Sequence, residues 1–289
     1  MLAHTAEGLE SRKAKNALPD DSDHSFVIMA YGECPYLDEC LDSLKKQTIR
    51  SKIIMSTSTP NQYLTNMAQK HEIELIVNPD RIDVIADGNF ALRQAATNYV
   101  TLAHQDHVYL PGYTETLLAA AKKHSNSLIA FCNYEELVHK DDKKEPYIRS
   151  KSLNFLIKNL MLTRVFKQKT EATETEIEKM KLLCWGNPIA GPSVIFNRKN
   201  IGDDFAFSGS FNIADWDAWI NLAQKNGSFV FVNQVLLQRR LHLASNTSVG
   251  IANRTRLRDD RLMFEKFWPP LLAKIISRIY SLSYINNKV

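Results

Sequence analysis

Between Ser25 and His107, short apolar runs and amphipathic segments take turns four times, and no other feature restricts the fold as strongly. "SFVIMAY" (25–31), "KIIMSTS" (52–58), "IELIV" (73–77) and "YVTLAHQDH" (99–107) each carry the aliphatic, β-branched centre of a strand. Between them, "YLDECLDSLKKQT" sets Leu37, Cys40, Leu41 and Leu44 at helical spacing. "NQYLTNMAQKH" begins on the capping sequence Thr59-Pro60-Asn61, and "DGNFALRQAATN" (87–98) completes the series. Strands joined through single helices run parallel, because each crossover brings the chain back to the same end of the sheet. A parallel sheet needs cover on both faces. The expected fold is therefore α/β and Rossmann-like, a mostly parallel sheet flanked by helices with ligands at the carboxyl ends of its strands.

After Pro111 the alternation loosens. A helix is expected over 113–124 and a strand over 127–137; residues 140–184 read as charged and helical, and 186–201 as a loop feeding a short strand. "ADWDAWINLAQKNG" (214–227) is an amphipathic helix with acids in its first turn and Gly227 at its close, and 228–242 forms a bent strand or strand pair. No Pro/Gly/Ser-rich linker divides the middle. The chain thus separates into a flexible leader (1–24), one domain (25–250) and a C-terminal amphipathic helical extension (251–289).

Composition removes several classes of function. A net charge of +4 over 289 residues suits an anionic ligand or membrane surface, and the basic residues lack the aromatic interleaving of a nucleic-acid module. Cys34, Cys40, Cys132 and Cys184 have no zinc-site spacing and read as reduced thiols of a cytoplasmic protein. No apolar run reaches membrane-spanning length. In the extension, Leu271, Leu272, Ile275, Ile276 and Ile279 form an apolar stripe opposite Lys274 and Arg278. That stripe suits docking on the domain or peripheral contact with a membrane.

Chemistry concentrates in His104-Gln105-Asp106-His107, at the end of the fourth strand. Its order relative to other motifs is informative. "VIMAYGE", "PYL", "ECL", "SL" and "QT" come first, then this strand end, then "DWD" with a second tryptophan, then "RRLH" and "SNTS". Together, over roughly Ser25 to Ser248, they resemble the family 2 glycosyltransferases, and "FEKFWPP" is similar to one bacterial surface-glycan subgroup. The resemblance implies a GT-A catalytic domain. It implies inverting transfer of a sugar from a UDP- or dTDP-linked donor to a hydroxyl of a glycan or lipid-linked acceptor in surface polysaccharide synthesis. The place of action would be the cytoplasm, at the inner face of the plasma membrane.

The family's metal signature is Asp-x-Asp, often followed by another Asp; here His104 replaces the first acid and His107 the trailing one, which leaves Asp106. Asp106, His107 and His242 are the expected ligands of a divalent cation. Imidazole favours Mn2+ over Mg2+, while His104 reads as a hydrogen-bonded strand residue. Asp215, which matches the family's base position at a helix start, is the expected general base, held ionised by the helix dipole. Arg239 and Arg240 are expected to clamp the diphosphate and Tyr31 to stack on the base. Ser56 and Ser58 would offer hydroxyl contacts, Asp87 and Asn89 would lie towards the pyrophosphate, and Trp216 and Trp219 would wall an acceptor sugar. The alternative is a GT-A-fold protein that binds nucleotide or glycan without turnover, since two signature acids are histidines. A nucleotidyltransferase would need a glycine-rich basic loop after the first strand, and "YGECPYL" is neither.

Overall fold

The computed structural model describes residues 20–80, 83–139, 145–167, 170–242, 250–251 and 253–287. Its first half alternates as expected: β1 (Asp20–Met29), α1 (Leu37–Lys45), β2 (Arg50–Thr57), α2 (Gln62–His71), β3 (Glu74–Val77), α3 (Val84–Gln94) and β4 (Tyr99–His104). β1, β2, β3 and β4 pair in parallel. Alternate residues of each strand enter opposite cores. Val27, Ile54, Val100 and Leu102 pack on one face, and Phe26, Ile28, Met55 and Ala103 on the other. That two-sided burial is why these strands read as continuous apolar runs.

Four local expectations change. β1 starts at Asp20, before the expected end of the leader, and His24 is buried, bonded to Ser51 and Thr101. α3 starts at Val84 because Asp83 caps it, accepting the Ala86 N–H at 2.8 Å, so Asp87 lies inside the helix. β4 stops at His104, and 105–107 turn the chain into β5 (Val108–Tyr109). The region 140–184 is not uniformly helical. Where described, it holds β7 (Tyr147–Arg149), α5 (Leu153–Val165), β8 (Thr170–Thr173) and α6 (Glu176–Leu183). The Thr173–Thr175 stretch makes the break: Thr175 caps α6, and both hydroxyls bond Glu178, which leaves 170–173 free to pair with a later strand.

The remaining elements are α4 (Tyr113–Lys123), β6 (Ser127–Val138), β9 (Val194–Asn197), α7 (Arg198–Ile201), α8 (Ala214–Ala223), β10 (Ser228–Leu241), α9 (Thr255–Glu265) and α10 (Pro270–Ser281). β10 is one bent strand with register breaks between Val232 and Leu237. The sheet order is β3-β2-β1-β4-β9-β6-β10-β5, with β7 on β6 and β8 on β10. β9 runs antiparallel to both β4 and β6, and β10 runs parallel to β6. Hence β1, β4, β6 and β10 all point the same way. Their carboxyl ends bring Tyr31, His104–His107, His139 and Arg239–His242 to one sheet edge. The chain also reverses its winding between β1 and β4, and such a switch point opens a crevice.

The C-terminal helices close the α8 side. Trp216, Phe264 and Tyr280 meet edge-on or tilted, with centroids 5.0–6.0 Å apart. Trp216 and Trp219 are fully buried and donate to the Leu183 and Ile189 carbonyls at 3.1 and 3.3 Å. They are core residues and do not wall an acceptor sugar. All four cysteines are free thiols. Among the described residues, no helix is long and apolar enough to cross a membrane.

Candidate active site

The turn after β4 is fixed before any ligand is considered. The His107 N–H donates to the His104 carbonyl at 3.3 Å. The Gln105 amide clamps the Tyr31 backbone, accepting its N–H at 3.0 Å and donating to its carbonyl at 3.1 Å. This ties the ends of β1 and β4 across the switch point and leaves the Tyr31 side chain 59% exposed.

Asp106 sits between two imidazoles. His107 Nδ1 lies 3.0 Å from one carboxylate oxygen and His242 Nε2 lies 3.1 Å from the other. Burial alone would raise the Asp106 pKa, but the charge and hydrogen bond of His107 and the bond from His242 outweigh it and hold the group well below the usual carboxylate range. The Arg240 N–H also approaches His107 Nδ1, at 3.4 Å. One nitrogen cannot accept and donate at once, so the shorter contact makes Nδ1 the donor to Asp106.

His104 stacks beside His107 at 5.3 Å between centroids. Burial, then the neighbouring His107, lowers its pKa to about 4, so its ring is neutral at physiological pH. Metal ligation needs the neutral imidazole. The ligand-capable atoms of His104, Asp106 and His107 all lie within 4.8 Å of one another. Two imidazoles and one carboxylate form a donor set that fits a divalent transition ion better than Mg2+. His104 therefore belongs with this cluster rather than with inert strand residues, and His242 approaches from the far side of Asp106.

Arg240 takes a place different from the expected phosphate clamp. Its guanidinium is buried and committed to protein groups: Nε donates to the Asp106 carbonyl at 2.9 Å, Nη2 meets Glu39 of α1, and Nη1 meets His139. Its plane lies 4.3 Å over the Tyr36 ring. Arg240 thus anchors the metal-capable turn to α1 and the end of β6. Arg239 points elsewhere. It is 4.0 Å from Glu136, whose carboxylate is already held by Arg149 at 2.7 Å, and it lies over the Tyr134 ring.

Asp215 is in the first turn of α8, but it is not a cap; Ile213 occupies that position without a side-chain bond. Its carboxylate accepts the Gly191 N–H at 3.2 Å from the turn "GPS" before β9. Gly191 is required there: a Cβ would stand 2.5 Å from the Asp215 Oδ2. Burial raises the Asp215 pKa, opposed by Arg256, the Gly191 N–H, Arg239 and Lys158. The helix dipole does not dominate as expected. β9 runs antiparallel to β4, so the Gly191–Ser193 turn at its start packs against β4 towards its carboxyl end, and the bond from Gly191 carries Asp215 to the end of the sheet where the histidine cluster lies.

Three other expected contacts are internal. Both Asp87 carboxylate oxygens are taken, by Ser58 at 2.6 Å and Asn78 at 2.8 Å. The Asn89 amide holds the Phe207 backbone at 2.7 and 3.0 Å. Ser56 is buried within β2, between Met29 and Ile76 in register. These residues shape the wall below the crevice. Residues 243–249, which carry "SNTS", lie outside the described residues.

The sequence reading missed Tyr36, Glu39, His139, Lys158, Gly191 and Arg256. Gly191 carried the one available signal, a Gly-Pro inside an apolar segment; the others come together only through the fold.

A switch-point crevice in a doubly wound sheet, with a carboxylate–imidazole cluster at its edge and a half-buried carboxylate nearby, is the form of a group-transfer site. The family model for glycosyl transferase family 2 matches residues 25–182, more than half of the chain, and the chain belongs to that family of glycosyltransferases. No curated protein sequence matches. Among solved structures, S. aureus TarS 1-349 superposes with a TM-score of 0.58 at 15% identity, over 91% of this chain and 73% of that one. Its complex with UDP-GlcNAc gives 0.59 at 14%, over 91% and 74%. The mannosyltransferase PcManGT from Pyrobaculum calidifontis, in complex with GDP-Man and Mn2+, gives 0.54 at 17%, over 98% and 79%. At such identities these likenesses speak for the α/β, GT-A type of fold.

Proposed function

We propose that this chain transfers a sugar, with inversion, from a UDP- or dTDP-linked donor to a hydroxyl of a glycan or lipid-linked acceptor in surface polysaccharide synthesis. The observation that carries the reading is the half-buried Asp215 carboxylate, held by the Gly191 N–H at the end of the sheet that also carries the His104–Asp106–His107 cluster, with its pKa raised by desolvation. A raised pKa makes a carboxylate a stronger base near neutral pH.

In this reading the acceptor hydroxyl gives its proton to Asp215 as its oxygen attacks the anomeric carbon. The bond from that carbon to the diphosphate oxygen breaks on the opposite face, which inverts the configuration. The Gly191 N–H keeps the carboxylate aimed. His104, Asp106 and His107 would hold a divalent cation, Mn2+ in preference to Mg2+, with His242 as a further ligand; when bound, the ion offsets charge on the departing diphosphate. The exposed Tyr31 ring is available to stack on the base. The same features favour turnover over binding alone, because a half-buried carboxylate aimed by the Gly191 N–H supplies the base that transfer needs.

Calorimetric titration with UDP and then dTDP, with Mn2+ and with chelator, tests the binding half. Binding that chelator weakens supports the cluster as a cation site; failure of every nucleotide to bind refutes the donor class. For the chemistry, Asp215→Asn should lower transfer by about 10²–10⁴ with nucleotide affinity unchanged. Transfer at the wild-type rate would remove Asp215 from the role of base.

A further inference from the structure

The extension packs on the domain through the wrong side of its sequence stripe. α10 buries Ala273, Ser277 and Tyr280, and Tyr280 meets Met161 of α5 around Gly186. Ile276 packs against the core, but the rest of the stripe faces outwards: Leu271 is 72% exposed and Ile279 60%, with Leu272, Ile275 and Leu282 also exposed. The adjoining α5, which contacts 282–287, repeats the pattern, with Leu156 67% exposed and Leu160 55%. Lys274 and Arg278 stand one helical turn from Leu271, Ile275 and Leu282, bordering the stripe rather than opposing it. Neither α5 nor any residue from 266 onwards is acidic.

We propose that the outward face of α10, with α5 beside the segment that follows it, is a docking surface for an anionic lipid bilayer. Exposed rows of Leu and Ile at helical spacing, edged by cations on a segment that carries no acidic residue, match the requirements of an interfacial helix: apolar side chains enter the acyl boundary while Lys and Arg reach lipid phosphates. A second copy of the chain fits less well, because a two-fold contact through this face would set Lys274 and Arg278 against their own equivalents. The inference deepens the acceptor reading, since a lipid-linked acceptor would be met at such a surface, but its evidence is independent of that reading.

Sedimentation of the full chain with vesicles of phosphatidylcholine, with and without phosphatidylglycerol, provides the test. Wild type is expected to bind the anionic vesicles roughly tenfold or more better than the neutral ones. Ile275→Glu with Ile279→Glu should abolish binding, and Leu156→Glu on α5 should weaken it. Lys274→Glu with Arg278→Glu should remove the preference for the anionic lipid. Thermal unfolding and UDP affinity of each variant serve as the folding controls. Vesicle binding that these changes leave intact would overturn the proposal, as would a failure to bind coupled to a dimer that Ile275→Glu with Ile279→Glu dissociates. Vesicle binding without nucleotide binding would sink the transfer reading alone; nucleotide binding without vesicle binding would sink this one alone.

Discussion

Gly191→Ala isolates the placement of the base without altering its chemistry. The φ of Gly191 lies outside the left-handed region, so alanine fits the backbone, and the whole effect comes from its Cβ. That atom would stand 2.5 Å from Oδ2, 2.7 Å from Oδ1 and 2.8 Å from Cγ of Asp215, whereas ordinary contacts begin near 3.4 Å. The carboxylate must therefore retreat by about 0.9 Å. Asp215 has a short stem rooted in the first turn of α8 beside buried Trp216, so neither backbone nor rotamer absorbs the shift cheaply. A displacement of about 1 Å at a reacting group costs on the order of 10²-fold, and the overpacking itself costs roughly 1–3 kcal/mol of stability. Steady-state transfer should show kcat reduced by about 10² with UDP affinity preserved. In an Asp215→Asn background the same alanine should cost little further activity, because the group it displaces no longer takes the proton. Wild-type kcat in Gly191→Ala, or full additivity in the double variant, would refute the assignment.

The raised pKa of Asp215 has a definite sign. A base must be ionised, so kcat/KM should fall as pH drops through that pKa, with an acid limb above the ordinary carboxylate value of about 4. A folded pKa above the unfolded one means that ionisation opposes folding, so Asp215→Asn should be at least as stable as wild type at neutral pH in thermal melts. Arg240→Leu deprives the Asp106 carbonyl of its donor and frees the turn. Mn2+ affinity, followed by calorimetry, should weaken about tenfold or more, and Arg240→Lys should not restore it, because one ammonium cannot span Asp106, Glu39 and His139. Tyr31→Ala should leave the melting temperature unchanged, since the ring is exposed. Its UDP affinity should fall between about fivefold and a hundredfold, the range of one lost base stack.

The amino-acid sequence alone determined the doubly wound half of the fold, because local periodicity encodes it. A strand buried on both faces must be largely apolar, as Phe26–Ile28 and Ile53–Met55 are, and each amphipathic segment between strands must supply one covering face. Order along the chain also marked Asp106 and Asp215, since each stands at an element boundary in a recurrent sequence of motifs. Only tertiary structure decided which charged groups are spent internally. Arg239 and Arg240 are neighbours in sequence, yet adjacent strand residues face opposite sides of a sheet. One guanidinium is therefore buried against Glu39 and the Asp106 carbonyl, and the other is directed towards Glu136 and Tyr134. His104 joined the cluster for a similar reason, because β4 ends there and the chain turns back upon it. The helical stripe of α10 was legible as amphipathic, but which side met the protein depended on Gly186 and Met161, both far away in the chain. Periodicity reports that a face exists; the partner that covers it is settled by packing across long stretches of chain.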